Sequence, residues 1–469
     1  MRFFAFGDTR KMNILIVGNG FDLSHYLPTK YDHFMVAMQA IENWEELKGD
    51  MGFDDLFGSL YEKENYFFSY TKAMYKTDEI KISVKKIEEL KNQLKENVWY
   101  QYFAEHKKNN INTWIDFENK INEALLLVRD IILEYRSLYE VDSYRVNLIG
   151  ISPVQKNTYR SVMKLIKEKL EMLLTLKVVE KTRTEISPMS RVWPDQVKSG
   201  YECYKINKLF LKIDGIDDQL KYETIEKLKI EEIFKYLSKN LESLTKLFCE
   251  YLKIIQSINP LKGFIQLDEY GINYQTKVCS FNYTKTFEKN YPSALKVDYL
   301  HGDFEKQNIV MGVSDIDNDL REFKSYQFVK YYQKILKETD YLFLKSNQNL
   351  DEILSRPHVS SYEEEEQEDN EINIFVWGHS LDVSDKNYIE EIFDLFSDHK
   401  MNFKAEIRLT IFYYDDFAKY SILANLFNIL GQRCVEDRIK DGSLKFEENP
   451  NIVKLNNIQP VELPKFEKV

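Results

Sequence analysis

The stretch Asn13 to Leu23, N-I-L-I-V-G-N-G-F-D-L, decides how the rest of the 469-residue chain is read. Asn13 to Val17 is a run of β-branched and apolar residues that stops at Gly18-Asn19-Gly20, and Phe21-Asp22 opens a helix. That is the pattern of a buried strand followed by a tight turn. Two glycines at a strand end let the backbone bend and come close to a ligand without Cβ interference. An anion can then rest against backbone N–H groups. The third glycine of a G-x-G-x-x-G pattern is missing, because Leu23 stands in its place, and an ordinary strand-to-helix turn is the competing reading.

Working outward, strand-like runs return only after Pro260. Lys277 to Phe281 leads into Asn282-Tyr283-Thr284, Leu295 to Leu300 into His301-Gly302-Asp303, Ile309 to Met311 into Gly312, and Ile372 to Trp377 into Gly378-His379-Ser380. Ala405 to Tyr413 reads as a late strand, with a helix over Phe417 to Leu430. Between the first strand and the others lie helical stripes. Val84, Ile87, Leu90, Leu94, Val98 and Tyr102 share one face, a helix runs from Trp114 to about Glu140, and another covers roughly Thr158 to Val179. Ile233, Leu237, Leu241, Leu244, Phe248, Tyr251, Ile255 and Ile258 form a seam that reads as internal bundle packing, a coiled-coil homo-oligomer contact being the weaker reading. Ser187 to Ile216 reads as a connector, about Asp319 to Leu344 as helical, and the acidic run Ser360 to Asn370 as a solvated loop.

The expected fold class is therefore α/β: a Rossmann-like, mostly parallel sheet interrupted by a large helical insertion. Residues 12–41 and 260–435 form the expected nucleotide-binding core, 42–259 the helical insertion and 436–469 a C-terminal tail. In such a sheet the C-terminal strand ends line one crevice, so Gly18, Asn282, His301 and Gly378 should meet there.

Composition narrows the chemistry. The net charge of -12 argues against a broad nucleic-acid-binding surface. Cys203, Cys249, Cys279 and Cys434 form no C-x-x-C pair, so no structural metal or disulfide framework is expected. No apolar run reaches a membrane span, and Met1 to Lys11 lacks a signal-peptide core, which reads as a cytoplasmic chain with Met12 as an alternative start.

Six motifs in order, I-L-I-V-G-N-G-F-D-L, L-P-T-K-Y (Leu27 to Tyr31), W-I-D-F-E (Trp114 to Glu118), S-F-N-Y-T (Ser280 to Thr284), L-H-G-D-F (Leu300 to Phe304) and V-W-G-H-S-L-D (Val376 to Asp382), together resemble the bacterial AbiH family of phage abortive-infection proteins. The resemblance implies phage defence, in which an infected cell arrests before the phage spreads, with a phage or host protein as a partner; it brings no settled chemistry. A more distant resemblance is to sirtuin-like NAD-binding domains. It implies that Gly18 and Gly20 approach the NAD pyrophosphate, with Asp22 in place of that family's serine. Asn282 would orient water or ribose, and His301 would act as general base or ribose-binding residue. Gly378 and Ser380 would contact the adenosine half, with Asn19, Phe21, Gly302 and His379 beside them. The zinc-binding cysteines of deacetylating sirtuins are absent, which disfavours a protein deacylase and is compatible with sirtuin-like NAD hydrolases.

The first functional reading is thus an NAD-consuming hydrolase with Asn282, His301 and Asp22 as catalytic residues. The second is a magnesium-dependent nuclease or nucleotide hydrolase built on Asp22, Asp303 and Glu118. The third is a non-catalytic nucleotide sensor. A dehydrogenase is least favoured.

Overall fold

β1, Lys11–Val17, is covered on both faces: Ile14 to Val17 are all buried, as expected of a central strand in a parallel sheet. The computed structural model describes residues 11–106, 114–140, 169–183, 202–213, 226–291, 296–346, 350, 370–396 and 405–465. The expected start-site reading, the prolines of the connector and the acidic run up to 369 lie outside them. So does the expected helix as far as residue 168.

The chain gathers into two compact units, Met1–Glu89 with Phe248–Val310 and Tyr331–Val469, and Leu90–Leu247 with Met311–Lys330. The first holds the sheet. Its further strands are β6 (Lys277–Ser280), β7 (Asp298–Tyr299), β8 (Asn370–Trp377), β9 (Ala405–Tyr413) and β10 (Leu444–Glu448). Among the described residues they form one mixed α/β assembly around a six-stranded sheet of order β10-β9-β8-β1-β6-β7, every pairing parallel. The strand order runs outward from β1 through β6 and β7, then returns to the other side of β1 and runs outward again. The reversal falls between β1 and β8. Ile14, Ile16, Ile374, Val376, Leu409 and Ile411 belong to one apolar core under these strands. Asn13 and Asn373, 360 positions apart, are tied by a 3.1 Å hydrogen bond between their side chains.

In the second unit a helix over Trp114–Glu140 and most of the long helix Ile230–Ser257 carry the expected apolar stripes. Trp99 is buried and donates its indole N–H to the Leu237 carbonyl at 2.8 Å. Glu118 pairs with Lys330 at 2.6 Å.

Several expectations are corrected. The helix expected from Val84 through Tyr102 is two, Val84–Glu96 and Val98–His106. Asn97 breaks it, accepting from the Tyr100 N–H at 2.9 Å as a cap and donating to the Asn240 carbonyl at 2.8 Å. The helical middle also contains two antiparallel pairs, β2 (Val179–Arg183) with β3 (Glu202–Ile206) and β4 (Leu211–Ile213) with β5 (Glu226–Leu228). Ile309 to Met311 is not a strand: the Val310 N–H is taken by the His301 carbonyl at 2.9 Å. The helix expected over Asp319 to Leu344 is broken into short helices, Asn318–Glu322 and Lys330–Leu336 among them, with left-handed backbone at Lys324, Glu338 and Phe343. β10 lies in the stretch read as a tail; it is an edge strand whose only buried residue is Leu444, so its apolar pattern is too thin to announce it.

Candidate functional site

The parallel register brings the strand ends level. Val17 stands opposite both Ser280 and Trp377, and Ser280 opposite Tyr299. The residues that follow, from Gly18, Phe281, Leu300 and Gly378 onward, therefore leave the sheet side by side at its C-terminal edge. Gly18, Asn282, His301 and Gly378 meet there.

The glycine turn is engaged by protein. The Gly18 N–H donates to the Trp377 carbonyl at 3.0 Å and the Gly20 N–H to the Gly378 carbonyl at 2.8 Å, so pairing between β1 and β8 continues past both strands. A Cβ at Gly18 would lie 2.5 Å from the His379 Cα, and one at Gly20 2.6 Å from the Gly378 Cα. Gly378 has φ +71, and its Cβ would lie 2.1 Å from the Phe21 nitrogen. These glycines are what let the two turns touch. Phe21, expected beside a ligand, is buried with its ring 4.9 Å from that of Trp377 and 4.4 Å from that of His25. His25 is held neutral: burial pushes it down to about 4, its Nδ1 lies 2.7 Å from the Phe21 carbonyl and its Nε2 2.7 Å from the Tyr291 hydroxyl.

Asn282 donates from Nδ2 to the Gly18 carbonyl at 2.8 Å, which ties the end of β6 to the glycine turn. Asp22 is 1% exposed and accepts from the Thr284 hydroxyl at 2.6 Å. Its other oxygen, Oδ1, has no hydrogen-bond partner among the described residues. Burial pushes the Asp22 carboxyl up to about 6, against the opposing effect of the Thr284 hydroxyl.

The folded carboxyl binds its proton more tightly than the unfolded one, so folding is unpenalised below the ordinary carboxylate range. Stability then falls as pH rises through about 6. The cost at pH 7 is on the order of 3 kcal/mol. Asp22→Asn should remove that fall: urea midpoints at pH 4.5 and 7 should differ less in the variant than in the wild type. Equal differences would show that Asp22 is ionised in the fold without penalty.

The histidines converge on a carboxylate that sequence reasoning missed. His301 Nε2 lies 3.2 Å from Asp385 Oδ1, and His379 Nε2 3.5 Å from Asp385 Oδ2. His379 Nδ1 accepts from the Leu381 N–H at 3.0 Å, so its Nε2 carries the proton and points it at Asp385. The Phe281 ring packs between the two imidazoles, 5.1 Å from His301 and 4.2 Å from His379. Beyond it stands Tyr388, whose hydroxyl accepts from Lys334 at 2.9 Å. Asp385 stands at the N-cap position of the helix Lys386–Asp394 without making a side-chain capping bond, and an acidic residue at a helix start reads as a dipole partner. The one signal was its place in the turn that follows Gly378-His379-Ser380.

Gly302, with φ +79, packs against the Asn308 backbone. Ser380 is exposed, and its carbonyl accepts from Asn425 at 3.0 Å. Asn19 and Gly20 are half-buried at the same rim. Of the acids named for a metal site, Asp303 accepts from the Glu305 and Lys306 N–H groups at 2.9 Å each, and Glu118 is held by Lys330. Among the described residues no group of three His, Cys, Asp or Glu side chains is arranged to hold a metal ion, and no helix is long and apolar enough to cross a membrane.

A family model described as bacteriophage abortive infection AbiH matches residues 14–406. No curated protein and no solved structure matches the chain. The matched span runs from β1 into β9 and takes in every residue of the strand-end cluster; the chain belongs to the bacteriophage abortive infection AbiH family.

Proposed function

We propose that the chain is a phage-defence effector that binds and hydrolyses NAD or a related nucleotide at the C-terminal edge of β1, β6, β7 and β8. The observation that carries this reading is the pair of imidazoles sharing the Asp385 carboxylate beside the strand-order reversal. The order itself is that of doubly wound, Rossmann-like sheets, in which ligands lie at the reversal.

Hydrolysis of the nicotinamide–ribose bond forms an oxocarbenium-like state, and water adds to the ribose carbon as neutral nicotinamide leaves. Asp385, 3.2 Å from Nε2, orients the His301 ring and suits it to take the proton from that water. The Asp385 carboxylate also offsets positive charge developing on the sugar. His301, His379 and Asn282 are each less than a tenth exposed, so a ligand enters along the open rim of Asn19, Gly20 and Ser380. Asn282 contributes by fixing the Gly18 carbonyl and hence the shape of that rim.

The test is incubation of the purified full-length chain with NAD, with and without EDTA, reading nicotinamide release, alongside NAD levels in phage-challenged cells. EDTA-resistant NAD loss supports the proposal. Metal-dependent loss of nucleic acid would replace it with the nuclease reading, and NAD binding without turnover would make the crevice a sensor.

A further inference from the structure

The L-P-T-K-Y motif follows a residue that the glycine turn does not explain. Tyr26 has φ +54, a left-handed conformation that bulky side chains rarely adopt. It is held there by its N–H, bonded to the Leu23 carbonyl at 3.0 Å, and by its carbonyl, which accepts from the Thr71 hydroxyl at 2.7 Å. This sets the Tyr26 ring over the helix Asn65–Met74, 6.2 Å from Tyr66, 5.6 Å from Phe67 and 5.0 Å from Tyr70. Tyr66 and Tyr70 lie 4.9 Å apart, edge to face. Burial and the neighbouring phenols of Tyr66 and Tyr414 keep the Tyr26 hydroxyl protonated.

Tyr66 is 60% exposed and Tyr414 76%. Tyr414 follows the last residue of β9, and Tyr26 follows the helix Asn19–Ser24 that leaves the glycine turn, so the rings stand on the C-terminal side of the sheet. Lys30, 5.4 Å over the Phe67 ring, is paired with Glu64 at 2.5 Å, and Asp415 and Asp416 follow Tyr414. Beside these aromatic faces Lys30 is neutralised by Glu64, and Asp415 and Asp416 add negative charge, which disfavours a nucleic-acid backbone.

We propose that Tyr26, Tyr66 and Tyr70 are a stacking platform for the base of a nucleotide bound at the strand-end crevice, an inference that rests on the nucleotide reading above. Stacked aromatic rings hold a base through its π-face, whatever its edge pattern. The ligand class is then a small base-bearing nucleotide rather than a sugar phosphate.

The test uses the full-length chain and calorimetric titration with AMP, NAD and ribose 5-phosphate. Tyr66→Ala and Tyr70→Ala remove an exposed and a half-buried ring of the cluster, and unchanged melting temperatures check the fold. Each variant should bind AMP and NAD roughly 5- to 150-fold more weakly than wild type, with ribose 5-phosphate binding unaltered. Wild-type binding of AMP that persists undiminished in the double variant overturns the platform and leaves the nucleotide reading standing. Equal weakening of AMP and ribose 5-phosphate also overturns it. A wild type that binds neither AMP nor NAD brings down both readings. Unchanged AMP affinity with a lower solution mass would assign the rings to contact with a second copy instead.

Discussion

Gly378→Ala should destabilise the protein by more than about 4 kcal/mol, the range reserved for defects that neighbours cannot relieve. The added Cβ would lie 2.1 Å from the Phe21 nitrogen and 2.3 Å from the Gly20 carbonyl carbon, which are backbone atoms at the start of a helix and cannot swing aside. Left-handed backbone at φ +71 adds a further 1–2 kcal/mol or so for any residue with a Cβ. Gly442 is the matched control: it has φ +80 but nothing within 4 Å, so Gly442→Ala should cost only about 1 kcal/mol. Urea unfolding of both variants checks the difference. Similar midpoints would mean that the two turns are not in contact in solution.

The second large effect is on activity. If the crevice hydrolyses a nucleotide, His301→Ala and Asp385→Asn should each lower turnover by roughly 10²–10⁴-fold. Asp385→Asn is the sharper probe. It keeps the shape of the side chain but offers one acceptor oxygen where two imidazoles now share two, so one histidine loses its orienting partner. Asn282→Ala is less clean, because it also removes one of the two donors to the Gly18 carbonyl, leaving the Phe21 N–H, and should lower stability by about 1 kcal/mol. Phage protection, NAD turnover and melting temperature measured on the same preparations separate the two kinds of loss. A folded Asp385→Asn protein with full turnover would remove the histidine pair from the chemistry.

The sheet's centre was legible because its strands are buried on both faces and so announce themselves as continuous apolar runs: Ile14 to Val17 is the case in point. The meeting of the strand ends was legible for the same reason, since parallel strands must all finish on one edge. What sequence patterns hid were features decided by a single polar contact or by position in space. Asn97 sits inside an unbroken helical stripe and breaks it through bonds to Tyr100 and Asn240. Asp385 looks like any helix-starting acid until two distant histidines turn towards it. The glycines were read as clearance for a ligand, whereas the atoms they approach in the structure belong to the partner turn. β10 carries too little buried surface for an apolar signal.

The lock between the first and eighth strands also has a consequence during synthesis. β1 is flanked by β6 and β8, so its neighbours begin only at Lys277 and Asn370. At roughly 5–20 residues per second, the ribosome needs from about 20 seconds to over a minute to deliver β8 after β1 has emerged. Both edges of the apolar strand Ile14 to Val17 are open until β6 is delivered, one edge stays open until β8 follows, and until then the glycine turn has nothing to close against. Nascent chains of this protein should therefore depend on holdase chaperones until β8, about four fifths of the way along the chain, is out, and premature termination before β8 should yield an aggregating fragment rather than a smaller folded one.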